Sequence, residues 1–228
     1  MRQVYNFLEE LARNNNREWF QAHKDEYLQA QERFNQFVEE TVCQIYKFDK
    51  DINPDKIGVK DCTYRIYRDV RFSKDKSPYK THFGAYFVRG GKKSPYSGYY
   101  FHIEPFEDKY SSGSMMCVGA YMPDSRQILS VREEIMLNGA AFIEAIKKSK
   151  FELYEENSLR RTPTGYTSVV EPEYQRLLRL RQFLLIKGID KEFILAPDLP
   201  RRVALEFKKG YEFNSLINRC IEYAIENG

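Results

Sequence analysis

The sequence predicts an α+β fold, in which N-terminal and C-terminal helices pack on a central, mostly antiparallel sheet. Apolar residues recur at helical spacing over about 1–50 and again over about 124–228. Over about 60–122 they recur at every second position, which is typical of strands. We therefore predict one domain over 1–228, made of a helical arm, a sheet region and a mainly helical region.

The N-terminal arm is predicted to contain two helices. The first covers 4–13, and the run of three asparagines from Asn14 to Asn16 ends it. Asn15 followed three residues later by Glu18 is a capping-box pattern. A second helix, roughly 30 residues long, should therefore begin here and cover one face of the sheet.

About four strands are predicted in the sheet region. Side chains alternate between two faces over 62–72 and again over 99–104. Gly90-Gly91 lies between two such runs and is a strong hairpin signal. Short connections of this kind favour antiparallel pairing.

Helical spacing returns in the last part of the chain. One helix should begin at Asp124 and be interrupted at 138–139. One more strand is predicted over 183–186. A C-terminal helical region should follow from Asp198 and divide near Gly210.

Composition limits the class of protein. A chain of 228 residues can bury a core without disulfides or a structural metal. Its four cysteines lie far apart with no Cys-x-x-Cys pair, which predicts reduced thiols in a cytoplasmic protein. The sequence opens on an amphipathic pattern, so we expect no signal segment, and no apolar run is long enough to span a membrane. No cofactor is predicted, and the oligomeric state stays open.

The most informative segment is basic and covers 65–82. It holds six Lys or Arg side chains and two acids, an excess of four positive charges in a chain of net charge +3. Such a concentration of charge usually faces an anion. We therefore predict a small ligand that carries phosphate or carboxylate. The candidate ligand-binding residues are Arg65, Arg68, Arg71, Lys74, Lys76, Tyr79, Lys80, His82 and Tyr100.

Arg68 is central to this prediction. If 62–72 is a strand, alternation places Arg68 on the same face as Cys62, Ile66 and Phe72. A buried guanidinium is costly unless an anion accompanies it. A protein carboxylate such as Glu104 and an anionic ligand are both possible partners, and the sequence leaves the choice open.

His102 and Glu104 are the candidates for acid–base chemistry, because they share one face of a predicted strand. A general base held by a carboxylate and a purely structural pair are both compatible with this spacing. His82, His102 and Glu104 could also meet across neighbouring strands. No His-x-His or His-x-x-His spacing supports a metal site, so none is predicted. Whether the protein is an enzyme stays open.

Three other functions are compatible with the basic segment. It could dock an acidic protein surface. It could bind single-stranded nucleic acid, since tyrosines lie between the basic residues, although an isoelectric point near 8.5 is modest for such proteins. In a purely structural role, its salt bridges would hold the N-terminal helix.

Three blocks of the sequence resemble a known family. They are FLEELARNNNREWFQAHK at 7–24, RIYRDVRFSKDKSPYKTH at 65–82 and GYYFHIEP at 98–105. On these blocks the chain resembles domain of unknown function 2461, a family of conserved hypothetical proteins from bacteria and fungi. The resemblance brings no reaction with it. It implies that the three blocks contribute to one shared pocket.

Overall fold

The fold is α+β, as predicted, and the computed structural model describes residues 1–105, 107–108 and 111–227. The helices are α1 (Arg2–Arg13), α2 (Arg17–Ala22), α3 (Lys24–Ile45), α4 (Val59–Cys62), α5 (Ser125–Ser149), α6 (Pro172–Leu178), α7 (Lys191–Ile194), α8 (Leu199–Lys209) and α9 (Tyr211–Glu226). The strands are β1 (Phe83–Phe87), β2 (Gly98–Ile103), β3 (Glu107–Asp108), β4 (Ser111–Ser112), β5 (Met115–Ala120), β6 (Glu152–Leu153) and β7 (Phe183–Gly188). Among the described residues, no helix combines the length and the apolar character needed to cross a bilayer.

Five strands form one antiparallel sheet in the order β1-β2-β5-β7-β6. At one edge, β6 pairs with β7 in a register that sets Glu152 opposite Ile186. β3 and β4 form a separate antiparallel pair. The antiparallel sheet and the late strand at β7 confirm the prediction.

The chain divides into two compact units. The first contains Met1–Lys93, Tyr100–Met116 and Gly188–Leu205, and the second contains Ser94–Tyr99, Cys117–Lys187 and Glu206–Gly228. Strands β2 and β5 contribute residues to each unit. That 1–228 behaves as one domain stays a prediction.

Aromatic side chains fill the core of the first unit. Phe7 of α1 contacts Phe20 and Tyr27, with ring centres 6.4 and 5.8 Å apart. Phe37 of α3 contacts Phe101 of β2, with ring centres 4.7 Å apart. Aromatic contacts therefore join the N-terminal helices to one another, and a tilted contact packs α3 on the sheet; such contacts add to the free energy of burial.

The predicted long N-terminal helix is divided into α2 and α3. The Asn16 side chain caps α2 by accepting a hydrogen bond from the Trp19 N–H at 2.9 Å, so the cap lies one residue after the predicted Asn15. The division falls at His23, whose backbone leaves the helical conformation. Its ring Nδ1 lies 2.8 Å from the Trp19 carbonyl oxygen and its ring stacks on Trp19. A side chain that binds a helix carbonyl in this way competes with helix continuation.

In the second unit, helix α5 begins at the predicted Asp124. The Asp124 carboxylate accepts hydrogen bonds from the Arg126 and Gln127 N–H groups, both at 2.9 Å. The predicted interruption at 138–139 is confirmed as a kink that separates two helical stretches. Asn138 leaves the helical conformation, with φ −133° and ψ 33°, but α5 continues beyond it to Ser149.

The C-terminal helical region divides at Gly210, as predicted. Phe207 of α8 packs on Tyr99 of β2, with ring centres 5.2 Å apart. The C-terminal helices therefore also pack on the sheet.

β5 and β7 approach each other closely at Gly119. This residue has a φ of +124°, and a Cβ placed on it would lie 2.1 Å from the backbone oxygen of Phe183. Such a contact cannot be relieved by rotating a side chain, because the obstacle is backbone. Only glycine fits here without strain.

Gly119→Ala should therefore lower the free energy of unfolding by about 3 kcal/mol, from backbone strain and displacement of β7. Gly188→Ala is the matched control, since a Cβ there meets nothing within 4 Å, and it should change that free energy by less than about 0.5 kcal/mol. Urea unfolding followed by circular dichroism measures both. Equal stability of the two variants would contradict the close approach.

Candidate functional site

The basic segment does not form the strand predicted over 62–72. Phe72, which that strand would place on the buried face, is 96% exposed. The strand fails because acidic side chains fold the chain back on itself. Asp69 accepts a hydrogen bond from the Arg71 N–H at 3.3 Å, and Asp75 accepts one from the Ser77 N–H at 2.9 Å. Both are local turns that replace strand pairing.

A short two-stranded ribbon, 66–68 against 78–80, takes the place of the strand. The Arg68 N–H donates to the Pro78 carbonyl at 3.0 Å, and the Lys80 N–H donates to the Ile66 carbonyl at 2.8 Å. We call these two segments the ribbon and the connecting residues 69–77 the basic loop. The ribbon brings the two ends of the basic segment together and leaves the basic loop outside.

The two faces of the ribbon have different roles. Tyr67 and Tyr79 are direct partners, and Tyr79 stacks on Phe20 with ring centres 3.9 Å apart. Because side chains alternate along paired strands, Arg68 and Lys80 share the opposite face. One face therefore packs on the aromatic core through Tyr79, and the other carries two positive charges beside the buried Ile66.

Asn15 fixes the ribbon to the N-terminal helices. Its side-chain amide donates to the Tyr79 carbonyl at 2.9 Å, and its side-chain oxygen accepts from the Tyr79 N–H at 3.2 Å. Tyr79 itself is only 4% exposed. Tyr79, predicted to bind a ligand, therefore occupies a core position that anchors the segment.

Strand β2 and the residue that follows it supply the other side of the site. Tyr100, His102 and Glu104 occupy every second position, so their side chains lie on one face. There they contact Thr81 and His82, the two residues before β1. We call the resulting group the polar cluster, and its members are Thr81, His82, Tyr100, His102 and Glu104.

Hydrogen bonds connect the polar cluster into a chain. The Tyr100 hydroxyl lies 3.0 Å from His102 Nδ1, and His102 Nε2 lies 3.1 Å from Glu104 Oε2. The Thr81 hydroxyl donates to Glu104 Oε1 at 2.6 Å. His82 Nδ1 lies 3.9 Å from the same oxygen. The Glu104 carboxylate is thus the point at which the two sequence blocks meet.

Burial differs within the polar cluster. The side chains of His102 and Glu104 are each 8% exposed, whereas that of His82 is 30% exposed. The two imidazole rings lie 4.3 Å apart. Solvent therefore reaches the polar cluster on the His82 side.

Two small residues hold this geometry in place. Ser114 exchanges two hydrogen bonds of 2.9 Å with the Glu104 backbone, as acceptor from its N–H and donor to its carbonyl. Gly84 in β1 leaves room for the Tyr100 phenol, because a Cβ there would lie 2.4 Å from the Tyr100 hydroxyl oxygen. Neither residue was predicted. Nothing in the sequence distinguishes Ser114 or Gly84 from an ordinary serine or strand glycine.

Several charged groups act on His82. The pKa of His82 is lowered to about 4, and burial is the largest cause. The charges of His102, Lys80 and Arg68 lower this pKa further, whereas the charge of Glu104 raises it. Burial, and next the charge of Arg65, lower the pKa of Lys80. Cationic groups therefore converge on the open side of the polar cluster.

Lys80 also contacts an aromatic ring beside the polar cluster. Its Nζ lies 5.5 Å from the ring centre of Tyr64, and the Nζ of Lys92 lies 5.9 Å from the same centre. The Tyr64 ring in turn meets Tyr100 edge to face at 6.5 Å. Cation–π contacts of this kind attract the ammonium groups to the ring face. Tyr64 and Lys92 were not among the predicted site residues.

Arg68 has a partner within the protein, but not the suggested Glu104. Its guanidinium forms a salt bridge with Asp75. Hydrogen bonds from Ser77, and then from Arg68, hold the pKa of Asp75 well below its usual range. The Asp75 side chain is 60% exposed, so the pair is open to solvent.

The remaining predicted residues lie on the outside of the basic segment. Arg71 pairs with Asp69 at 2.6 Å, and both side chains are exposed. Lys76 donates to the Val70 carbonyl at 3.0 Å. Arg65 and Lys74 are also exposed. The structure thus brings Lys80, His82, Tyr100, His102 and Glu104 together, with Arg68 near them, and leaves the other four cations at the surface.

Comparison with known proteins identifies one family. A family model described as "Conserved hypothetical protein (DUF2461)" matches residues 3–215. The matched region contains the ribbon, the basic loop and the polar cluster. No curated protein and no solved structure matches the chain.

Asn15→Ala should lower the free energy of unfolding by about 1–3 kcal/mol, because it leaves both backbone groups of the buried Tyr79 without this partner. Asn14→Ala is the control. The Asn14 amide binds the Glu10 carbonyl on the exposed surface, so its loss should cost less than about 0.5 kcal/mol. Chemical unfolding measures both variants, and a cost of Asn15→Ala no larger than that of Asn14→Ala would contradict the anchoring role.

Proposed function

We propose that this chain, which belongs to the DUF2461 family of conserved hypothetical proteins, binds a small ligand that carries a phosphate or carboxylate group. Lys80 and Arg68 hold the anionic group on the open side of the polar cluster, next to His82. The observation that carries the proposal is the shared ribbon face, which sets these two cations together beside a partly exposed histidine.

The position of Lys80 supports an anionic ligand. Its side chain is partly buried and lies over the Tyr64 ring. Taking an ammonium group out of water is costly, and an aromatic ring repays only part of that cost. A bound anion would supply the rest through a charge-assisted hydrogen bond.

Arg68 is available to a ligand despite its salt bridge. Its partner Asp75 is mostly exposed, and exposed ion pairs contribute little to stability. A phosphate or carboxylate that binds the guanidinium through two parallel hydrogen bonds can therefore replace Asp75. The Arg68 guanidinium then pairs with the ligand instead of with Asp75.

The polar cluster adds acid–base capacity next to the bound group. His102 has one ring nitrogen against Tyr100 and the other against Glu104. Both nitrogens of His102 are thus engaged within the protein, so the more exposed His82 is the group that can accept or donate a proton at a ligand atom. His82 is the more exposed of the two histidines and its ring lies 4.3 Å from that of His102, which supports its contact with the ligand.

A second candidate function is docking of an acidic protein surface by the basic loop. Phe72 supports it, because its ring is 96% exposed and can supply an apolar contact among the exposed charges of the basic loop. Arg71 lies over its ring, with 5.9 Å between the guanidinium carbon and the ring centre. The two candidates use different residues and can be tested separately.

Thermal unfolding in a series of inorganic phosphate concentrations tests the ligand proposal, with a chelator present throughout. A ligand that binds the folded chain raises Tm in a concentration-dependent way. Lys80→Ala and Arg68→Ala should each weaken the phosphate response about tenfold or more, since each removes a charge-assisted hydrogen bond.

Lys74→Ala is the matched control, because it removes the same charge from an exposed position of the same segment. It should keep the wild-type response, as should Phe72→Ala. A phosphate response that is equal in all four variants and the wild type would disprove the proposed site.

A further inference from the structure

We infer that His82, His102 and Glu104 form a binding site for a divalent transition-metal ion, with Zn²⁺ as the reference ion. The inference goes beyond anion binding and does not depend on it. It rests on one juxtaposition: a ring nitrogen from each of the two histidines and a carboxylate oxygen of Glu104 all lie within 4.8 Å of one another.

The donor types determine which ions fit. Two imidazole nitrogens and one carboxylate oxygen suit zinc and its first-row neighbours. Magnesium and calcium prefer sites made entirely of oxygen. Three protein ligands leave a further coordination position for water or for an anionic group of a ligand.

The distances between the donor atoms are close to the separation of two atoms that bind the same metal ion. Metal–ligand bonds of about 2.0–2.1 Å at a tetrahedral ion put two donor atoms about 3.3 Å apart. His102 Nε2 and Glu104 Oε2 are already 3.1 Å apart. His82 Nδ1 is 3.9 Å from Glu104 Oε1 and belongs to the most exposed of the three side chains. A small rotation of His82 would complete the site.

Hydrogen bonds from neighbouring side chains orient the three donor residues, as is common in metal sites. Metal-binding histidines commonly use their second ring nitrogen for a hydrogen bond that fixes the ring, and ligating carboxylates are themselves hydrogen-bonded. Here Tyr100 engages His102 Nδ1, which directs Nε2 toward Glu104. Thr81 holds the other carboxylate oxygen at 2.6 Å. Ser114 fixes the Glu104 backbone with two further hydrogen bonds.

The position in the fold also suits a metal site. His102 lies in β2, Glu104 follows it directly, and His82 directly precedes the neighbouring strand β1. Donors within or directly beside paired strands are held more rigidly than donors far out in loops. Two donors are buried and the third is open to solvent, so an ion can enter from the His82 side.

A proton can also join His102 to Glu104, with Nε2–H donating to the carboxylate in an ordinary hydrogen bond. The two possibilities differ in what His82 does. A metal requires it as a third ligand, whereas the hydrogen bond does not involve it. His82 is therefore the residue that decides between them.

The test is calorimetric titration of Zn²⁺ into the full chain after treatment with a chelator that is then removed. The background variant is Cys43→Ser, because Cys43 is an exposed free thiol that can bind zinc by itself. We expect one Zn²⁺ per chain, and no comparable binding of Mg²⁺. Co²⁺ should bind at the same site and give the visible absorption of a four- or five-coordinate ion.

His82→Ala and Glu104→Gln should each weaken Zn²⁺ binding at least a hundredfold. Thr81→Val should weaken it about 10–100-fold, because it removes only a hydrogen bond to a ligand. His23→Ala is the matched control. It deletes the third histidine of the chain, which contacts Trp19 instead, and it should leave Zn²⁺ binding unchanged.

Circular dichroism of the metal-free variants establishes which of them fold, and His82→Ala, with its partly exposed site, should do so. The inference is overturned if the wild type binds no Zn²⁺, or if folded His82→Ala and Thr81→Val bind it as tightly as the wild type. Lys80→Ala should keep the Zn²⁺ site and lose the phosphate response measured with chelator. The failure of one proposal is thus distinguishable from the failure of the other.

Discussion

The buried carboxylate of Glu104 is the constraint on which the site depends. A carboxylate taken out of water must be satisfied by hydrogen bonds or charge, or it destabilises the fold. Thr81 and His102 both bind it, and Ser114 fixes the backbone that carries it. These partners come from three separate parts of the chain. Satisfying this side chain therefore sets the position of the segment before β1 and the face of β2, and the backbone contacts of Glu104 add Ser114, the residue before β5.

A second set of contacts attaches the basic segment to the N-terminal helices. Tyr79 stacks on Phe20, and its backbone is held by Asn15. Because the ribbon alternates, fixing Tyr79 toward the core turns Lys80 and Arg68 the other way. The first of the three family-like blocks thus supports the second, and the second meets the third at Glu104. Core packing and positive charge are contributed by different residues of the same short segment.

The charges of the basic segment divide by location. Arg71 is neutralised by Asp69 two residues away, and its side chain points into solvent. Lys80 is partly buried on the ribbon face that leads to the polar cluster. Net charge alone treats the two as equal, yet only a charge held away from water interacts strongly with a neighbour. The part of the segment whose charge is held away from water is therefore smaller than its charge excess suggests.

Local patterns in the sequence determined much of the fold. Helical spacing located α1, α5 and the C-terminal helices divided at Gly210, and a short apolar run located β7. Alternation placed Tyr100, His102 and Glu104 along one line. These features depend on residues a few positions apart in the chain, and the periodic spacing of such residues can be read directly from the sequence.

Only the tertiary structure decided what those residues meet. The strand expected over 62–72 became a ribbon and a loop because Asp69 and Asp75 accept local backbone hydrogen bonds. Thr81 reaches Glu104 across 23 positions of sequence. Such a contact depends on the order of the strands and on the position of the turn between them. The spacing of side chains along the sequence specifies neither the strand order nor the turn position.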